Sequence, residues 1–354
     1  MGFKTSLMRW YRLEKRALPW RETKDPYKIW ISEVILQQTR VDQGLEYYLR
    51  FIRTFPDVKK LAKAREEMVL KAWQGLGYYS RARNLHRASK QIVEQFNGVF
   101  PDSYEQVLGL QGIGPYSAAA ILSIAFNKVY PVIDGNVLRV VGRYLALETD
   151  VLQKEGRKKI EDFLNRVIDQ KDPGDFNQAV MELGALVCKP LNPDCPVCPL
   201  RSTCKARKTK DPTAYPLRVK RTLVQQRFFH YLVVMETSTA MLYIRKRLGN
   251  DIWRNLYDFP MIEAKQTLTV PALKKTSEWK SLLGKGTQKV REVSPVIKHK
   301  LSHRELNVVF VQVDIDRPLA DLKGMKRIPR KDMGKYPFPI LLVNYLNASG
   351  LLGP

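Results

Sequence analysis

Four cysteines, all between Cys188 and Cys204, constrain this chain more tightly than anything else in it. Their spacing is Cys188-x6-Cys195-x2-Cys198-x5-Cys204, interleaved with Pro190, Pro193, Pro196 and Pro199. Thiols this close together on a proline-stiffened loop cannot all face apolar surroundings, and four soft donors suit zinc or an iron-sulfur cluster. Disulfides come third, because no apolar signal core stands near the N-terminus and the cysteines are gathered in one loop. The expected setting is a reducing compartment, the cytoplasm. Paired zinc knuckles carry two short Cys-x2-Cys arms where this loop has one, so the spacing tilts toward [4Fe-4S] and keeps zinc as the alternative.

The rest of the chain divides around that loop. At 354 residues it is long enough for two domains. Residues 1–205 read as consecutive helices: Trp10, Tyr11 and Leu13, then Trp30, Val34 and Ile35, then Leu61, Met68, Val69 and Trp73 recur at three- and four-residue steps. Asp25-Pro26, Pro101-Asp102 and Asp134-Gly135 read as helix starts. Residues 206–226 lose periodicity and are rich in lysine and arginine, as a linker would be. Beyond them, 228–235 and 241–245 are short β-rich runs, 307–315 alternates imperfectly and 339–346 closes as a helix, an α+β signature. No stretch is apolar enough to span a membrane. The net charge is +25, with basic residues in excess in both halves and in the join, so a polyanion, most often nucleic acid, is the expected partner. The opening Met1-Gly2-Phe3-Lys4-Thr5-Ser6 matches a myristoylation pattern, short and common enough to be read as chance.

Two further features carry chemistry. Gly112 and Gly114 flank Ile113 just before the small-residue run Ser117-Ala118-Ala119-Ala120. Such a turn between helices lets backbone N–H groups at a helix start hold a phosphate without reading sequence, and it resembles a helix-hairpin-helix motif. Glu33 sits in Ile29-Trp30-Ile31-Ser32-Glu33-Val34-Ile35-Leu36, where apolar neighbours would raise its pKa. Asp134 precedes Gly135 at a helix start, and accepting backbone N–H bonds there would keep it ionised.

With the cysteine spacing and the helix 177–187 leading into it, the chain resembles the endonuclease III and adenine DNA glycosylase families. The blocks Leu18-Pro19-Trp20-Arg21, Ser32-Glu33 to Gln37-Gln38-Thr39, Gly75 to Leu85 and Asp134-Gly135-Asn136-Val137 are similar, in order and spacing, to the adenine DNA glycosylase (MutY-type) family. The resemblance implies an all-α glycosylase domain over 1–205 closed by a structural [4Fe-4S] loop, a linker over 206–226, and a Nudix-like α+β domain over 227–354 that reads 8-oxoguanine. It further implies that Glu33 protonates adenine and then activates water, that Asp134 stabilises the sugar cation, and that Tyr116 and Asn136 support them. Trp20, Arg21 and Leu36 would frame the adenine pocket, Gln38 and Tyr78 would intercalate, and Thr39 and Leu76 would lie near the opposite base. Ser302 and His303 would detect 8-oxoguanine, beside Leu301 where the family usually has Phe.

Endonuclease III-like enzymes hold a lysine at the position of Tyr116, so a monofunctional glycosylase that leaves an abasic site is expected. No Arg-Glu-x-x-x-Glu-Glu run follows Pro260, which argues against pyrophosphate hydrolysis. His86 and His230 read as structural. The expected partner is duplex DNA carrying adenine opposite 8-oxoguanine or guanine, bound by a monomer. A pyrimidine- or thymine-directed relative and a non-catalytic damage sensor are the alternatives.

Overall fold

The computed structural model describes residues 2–209, 211–217, 225–284, 287–301, 303–319 and 324–351. They form two compact units, one of residues 1–63 with 84–220 and the other of 64–83 with 221–354. The second grouping departs from a linear division at the linker. The stretch 64–83 lies in the helical half of the sequence yet packs with the C-terminal sheet.

The N-terminal helices are α1 (Phe3–Glu14), α2 (Pro26–Leu36), α3 (Val41–Thr54), α4 (Val58–Lys63), α5 (Glu66–Ala72), α6 (Ser80–Phe96), α7 (Tyr104–Leu108), α8 (Pro115–Phe126), α9 (Gly135–Leu145), α10 (Lys154–Val167) and α11 (Pro173–Leu186). Helix α2 starts where Asp25 accepts the Tyr27 N–H at 2.9 Å, with Pro26 supplying a preset first turn. It is buried almost all round, and it packs on α8, whose Ser117–Ala120 stretch is small enough for close approach. Helix α11 packs on α1, α8 and α9. At Gly184 the contact is so close that an added Cβ would lie 2.7 Å from the Asn136 Cβ, so only glycine lets α11 press on the start of α9. Two readings need correction. The expected start at Pro101-Asp102 lies at Ser103, whose hydroxyl accepts from Gln106 N at 3.2 Å. Leu13 and Met68, counted among the apolar stripes, are 78% and 47% exposed.

The C-terminal unit is a mixed sheet with helices on both faces. Its strands are β1 (Gln225–Glu236), β2 (Met241–Lys246), β3 (Tyr257–Asp258), β4 (Met261–Ala264), β5 (Gln288–Val293), β6 (Ile297–Lys300), β7 (Arg304–Ile315) and β8 (Met325–Pro329). The order is β3-β2-β1-β7-β5, with β4 on β1, β6 on β7 and β8 on β2. The long strands β1 and β7 pair in parallel from Gln225↔Arg304 to Glu236↔Ile315. Because side chains alternate along β1, Phe229, Tyr231 and Val233 join one core with α14 (Ile340–Ala348), while Leu232 and Val234 join another with α12 (Val270–Lys275) and α13 (Ser277–Leu283). His230 is buried, its Nε2 accepting the Leu268 N–H at 2.9 Å, in keeping with a structural histidine. Among the described residues no helix is long and apolar enough to cross a membrane.

Candidate active site

A cavity of about 440 Å³ in the helical unit is lined by Trp20, Arg21, Glu33, Leu36, Thr39, Tyr116, Asp134 and Asn136, all singled out from sequence. Ligand pockets of about 300–1,000 Å³ are the usual size for a bound small molecule or base. Glu33 enters from α2 and is 7% exposed. The Tyr116 hydroxyl, from the first turn of α8, donates to Glu33 Oε2 at 2.5 Å. Burial raises the Glu33 pKa to about 7, with nearby Asp134 adding to the rise and the Tyr116 bond and Arg21 opposing it. The carboxyl can therefore gain or lose a proton near neutrality. Burial, then Glu33, hold Tyr116 well above the ordinary phenol range, so it stays a donor.

Asp134 caps α9: its Oδ1 accepts the Val137 N–H at 2.7 Å, and its Oδ2 accepts from Asn136 Nδ2 at 2.9 Å. The cap expected from sequence is there, but its electrostatic effect is only partial. Burial pushes the Asp134 pKa up, and the Val137 and Asn136 bonds pull against it. Asn136 is held in turn. Its Oδ1 accepts from Arg139 Nη2 at 2.7 Å, and Arg139 also donates to Gly184 O and, through Nε, to Cys188 O, both at 2.8 Å. Hydrogen bonds thus run from Asp134 to the first residue of the cysteine loop.

Sequence reasoning missed the pocket's other charged wall. Glu182 lies on α11 and was read only as part of the helix leading to the cysteines. Its carboxylate is buried and accepts from Arg16 Nη2 at 2.6 Å and Arg21 Nη2 at 2.7 Å. Burial works against the charge, but the Arg21 and Arg16 bonds win and hold Glu182 at about 2. The local signal was slight, one acid in the apolar run Ala179-Val180-Met181-Glu182-Leu183, and the arginines it meets lie far upstream. Its depressed pKa means the carboxylate stabilises the fold above the usual value near 4.5 and loses that effect as pH falls toward 2. Glu182→Gln should therefore flatten acid unfolding in that window and cost about 1–3 kcal/mol at pH 7, allowing for solvent around half-buried Arg16. Thermal melts of both proteins from pH 2 to 7 check this.

Gly112 turns between α7 and α8 at φ 79°, a backbone that favours glycine, and an added Cβ would meet the Asn84 side chain at 2.5 Å. Gly114 is the N-cap of α8 and has no side chain to occupy the first-turn N–H groups. Gln38 is exposed, with φ 60°. Leu76 is buried and Tyr78 is 47% exposed, both in the C-terminal unit. In that unit Leu301 packs against the core that includes α14, and His303 is exposed, its carbonyl accepting from Gln225 N at 3.1 Å. Ser302 lies outside the described residues.

The four cysteines carry free thiols and line one cavity with Arg143, Arg201 and Arg207. Burial raises the Cys198 thiol to about 11, and the other three cysteines push it the same way. Four thiols around one cavity are the soft donor set that zinc or an iron-sulfur cluster takes, each losing its proton to the centre it would hold; among the described residues no such group is drawn close enough to hold a single metal ion. Arg143, itself buried, clasps the loop by donating to Cys188 Sγ at 3.5 Å, Lys189 O at 2.6 Å and Pro190 O at 2.7 Å.

Comparison with known proteins matches these features. The HhH-GPD superfamily of base excision DNA repair proteins matches residues 31–168, and a NUDIX domain matches residues 230–348. A solved thermostable thymine-DNA glycosylase superposes with a TM-score of 0.54 at 25% identity, covering 58% of this chain and 95% of that one. Fold and pocket together define a helix-hairpin-helix glycosylase of base excision repair. Adenine DNA glycosylase of Buchnera aphidicola subsp. Schizaphis graminum is 34% identical over 88% of each chain, and that of Mus musculus is 43% identical over 58% of this chain and 42% of its own. The chain belongs to the adenine DNA glycosylase (MutY-type) family.

Proposed function

We propose that this protein removes adenine mispaired with 8-oxoguanine or guanine in duplex DNA by hydrolysing its N-glycosidic bond, leaving an abasic site. The observation that carries the reading is the pair of carboxyls, buried Glu33 and half-buried Asp134, in one cavity with unlike partners. Glu33, its Oε2 held by Tyr116, carries a proton on Oε1 toward the departing base. As the C1′–N bond breaks, adenine leaves with that proton and Glu33 becomes a carboxylate. Asp134, held by Val137 N and Asn136, lies against the positive charge developing on the sugar. Glu33 then takes a proton from the water that adds to C1′, which restores the acid. Trp20, Arg21 and Leu36 flank the base, and Glu182 offers carboxylate oxygens suited to an exocyclic amine, which adenine has and thymine lacks.

The same reading gives the other parts their work. The Gly112–Gly114 turn and the basic surface hold DNA phosphates, and Gln38, Thr39, Leu76 and Tyr78 replace the extruded base. Residues 1–205 form the catalytic domain, 206–226 the linker and 227–354 the reader, with Ser302 and His303 facing 8-oxoguanine. A [4Fe-4S] cluster held by Cys188, Cys195, Cys198 and Cys204 would brace the loop and supply no step of the hydrolysis. The protein works as a monomer in the bacterial cytoplasm, where the DNA is.

The test is single-turnover incubation with a duplex carrying adenine opposite 8-oxoguanine. Alkali-dependent strand breaks and no borohydride-trapped complex are expected, since Tyr116 offers no amine. Breaks without alkali, or excision of thymine instead, would overturn the reading.

A further inference from the structure

The stretch 64–83 is fastened to the C-terminal sheet by side chains spread along its length. Glu67 Oε1 accepts from Lys246 Nζ at 3.0 Å and Tyr257 Oη at 2.8 Å, and Glu66 accepts from Asn255 Nδ2 at 2.5 Å. The Lys246 bond, and then Tyr257, hold Glu67 below the usual carboxylate range. Gln74 Oε1 accepts the Phe338 N–H at 3.3 Å. Tyr79, 4% exposed, donates to Phe338 O at 3.2 Å and accepts from Gly75 N at 3.4 Å, so one hydroxyl ties the segment before α14 to the turn before it. Arg83 donates to Arg254 O at 2.8 Å.

Between these anchors the turn lifts Tyr78 outward in a left-handed backbone, φ 46°, that a bulky residue adopts only when its surroundings impose it. The anchors sit on β2 (Lys246), on β3 (Tyr257), on the connection between them (Arg254 and Asn255) and at Phe338. The loop of His303 joins β6 to β7 in the same sheet, two strands from β2 through β1. Tyr78 and the His303 loop therefore belong to one unit built on the same sheet.

We propose that Tyr79 and Glu67 are positioning residues that mount the Tyr78 wedge on the C-terminal sheet, so that recognition of the opposite base and insertion of the wedge occur as one event. The inference rests on the reading of Tyr78 as an intercalating residue. It assigns the C-terminal domain a part in extruding adenine, beyond reading its partner.

The experiment follows extrusion by the fluorescence of 2-aminopurine beside an adenine paired with 8-oxoguanine, with Glu33→Gln in every protein to block excision. It compares Tyr79→Phe, Glu67→Gln, their combination and Tyr78→Ala. Tyr79→Phe keeps the buried ring and removes only the hydroxyl, so it tests the mount even where the combination folds poorly. Losing these bonds should slow extrusion about 10-fold in the combined variant and by a smaller factor in Tyr79→Phe alone. With Glu33 restored, Tyr79→Phe, Glu67→Gln and their combination should excise more slowly opposite 8-oxoguanine, keep the alkaline limb of the rate profile in place, and leave adenine facing a gap within about 2-fold of wild type. Normal extrusion in Tyr79→Phe and the combination, with slow extrusion in Tyr78→Ala, overturns the mount. Normal extrusion in Tyr78→Ala overturns the wedge reading and the proposal with it.

Discussion

Glu33→Gln should lower single-turnover excision by about 10³-fold or more, because the group proposed to protonate adenine and activate water is lost in one step. Glutamine keeps the oxygen that accepts from Tyr116, so the pocket should hold its shape. In the parent enzyme the rate should fall as pH rises through about 7, as Glu33 loses its proton, and this alkaline limb should vanish in the variant's residual activity. Stability should move the opposite way. A carboxyl whose folded pKa lies above its unfolded value, near 4.5, binds its proton more tightly when folded, so the fold loses stability as pH rises from 4.5 through 7. Glu33→Gln removes that penalty, and above pH 7 it should gain up to about 3 kcal/mol, shrinking to nothing below pH 4.5. Paired melts at pH 4.5 and 8 with paired rates decide the matter. A variant both inactive and unstable at pH 8 would point to a structural glutamate.

Asp134→Asn separates charge from cap. Asparagine caps helices as well as aspartate does and can still accept from Val137 N, so stability should change by less than about 1 kcal/mol. The rate should nevertheless fall by about 10²–10³-fold, the usual cost of losing a preorganised electrostatic group. The variant should also shift the alkaline limb, since Asp134 helps raise Glu33: without that negative neighbour the Glu33 pKa drops and the limb moves below 7. A rate loss with an unmoved limb would mean the two carboxyls do not sense each other.

Much of this site was legible because local chemistry and catalytic role coincide. An acid inside Trp30-Ile31-Ser32-Glu33-Val34-Ile35 cannot avoid burial on a core helix, and Asp134 before Gly135 caps the helix it begins. The cysteine loop is a local pattern as well. What stayed hidden depends on packing between distant segments. Glu182 becomes part of the pocket only because α11 carries it against the turn of Arg16 and Arg21, and no spacing within 177–187 announces that. The meeting of Asp134 with Glu33 was equally unreadable, although the resemblance to a family anticipated it. In the C-terminal unit β1, β2 and β7 showed their apolar content, whereas the largely exposed, charged strands β5 and β6 lack the contrast that alternation needs. The grouping of 64–83 with the sheet could not be seen at all, because its partners lie far downstream.

That grouping also sets an order of events at the ribosome. The anchors of the 64–83 stretch, from Lys246 through Tyr257 to Phe338, are among the later residues translated, and β1 must wait for β7 before its parallel pairing can form. A segment made in the first quarter of synthesis thus gains its final neighbours only near the end, and a growing chain would have the Glu33 pocket's residues in hand long before it could hold Tyr78 in place. Domains commonly fold in the order they emerge. On the proposed role of Tyr78 as a wedge, that wedge would be among the last parts completed, and a chain released early would lack it even with both carboxyls present.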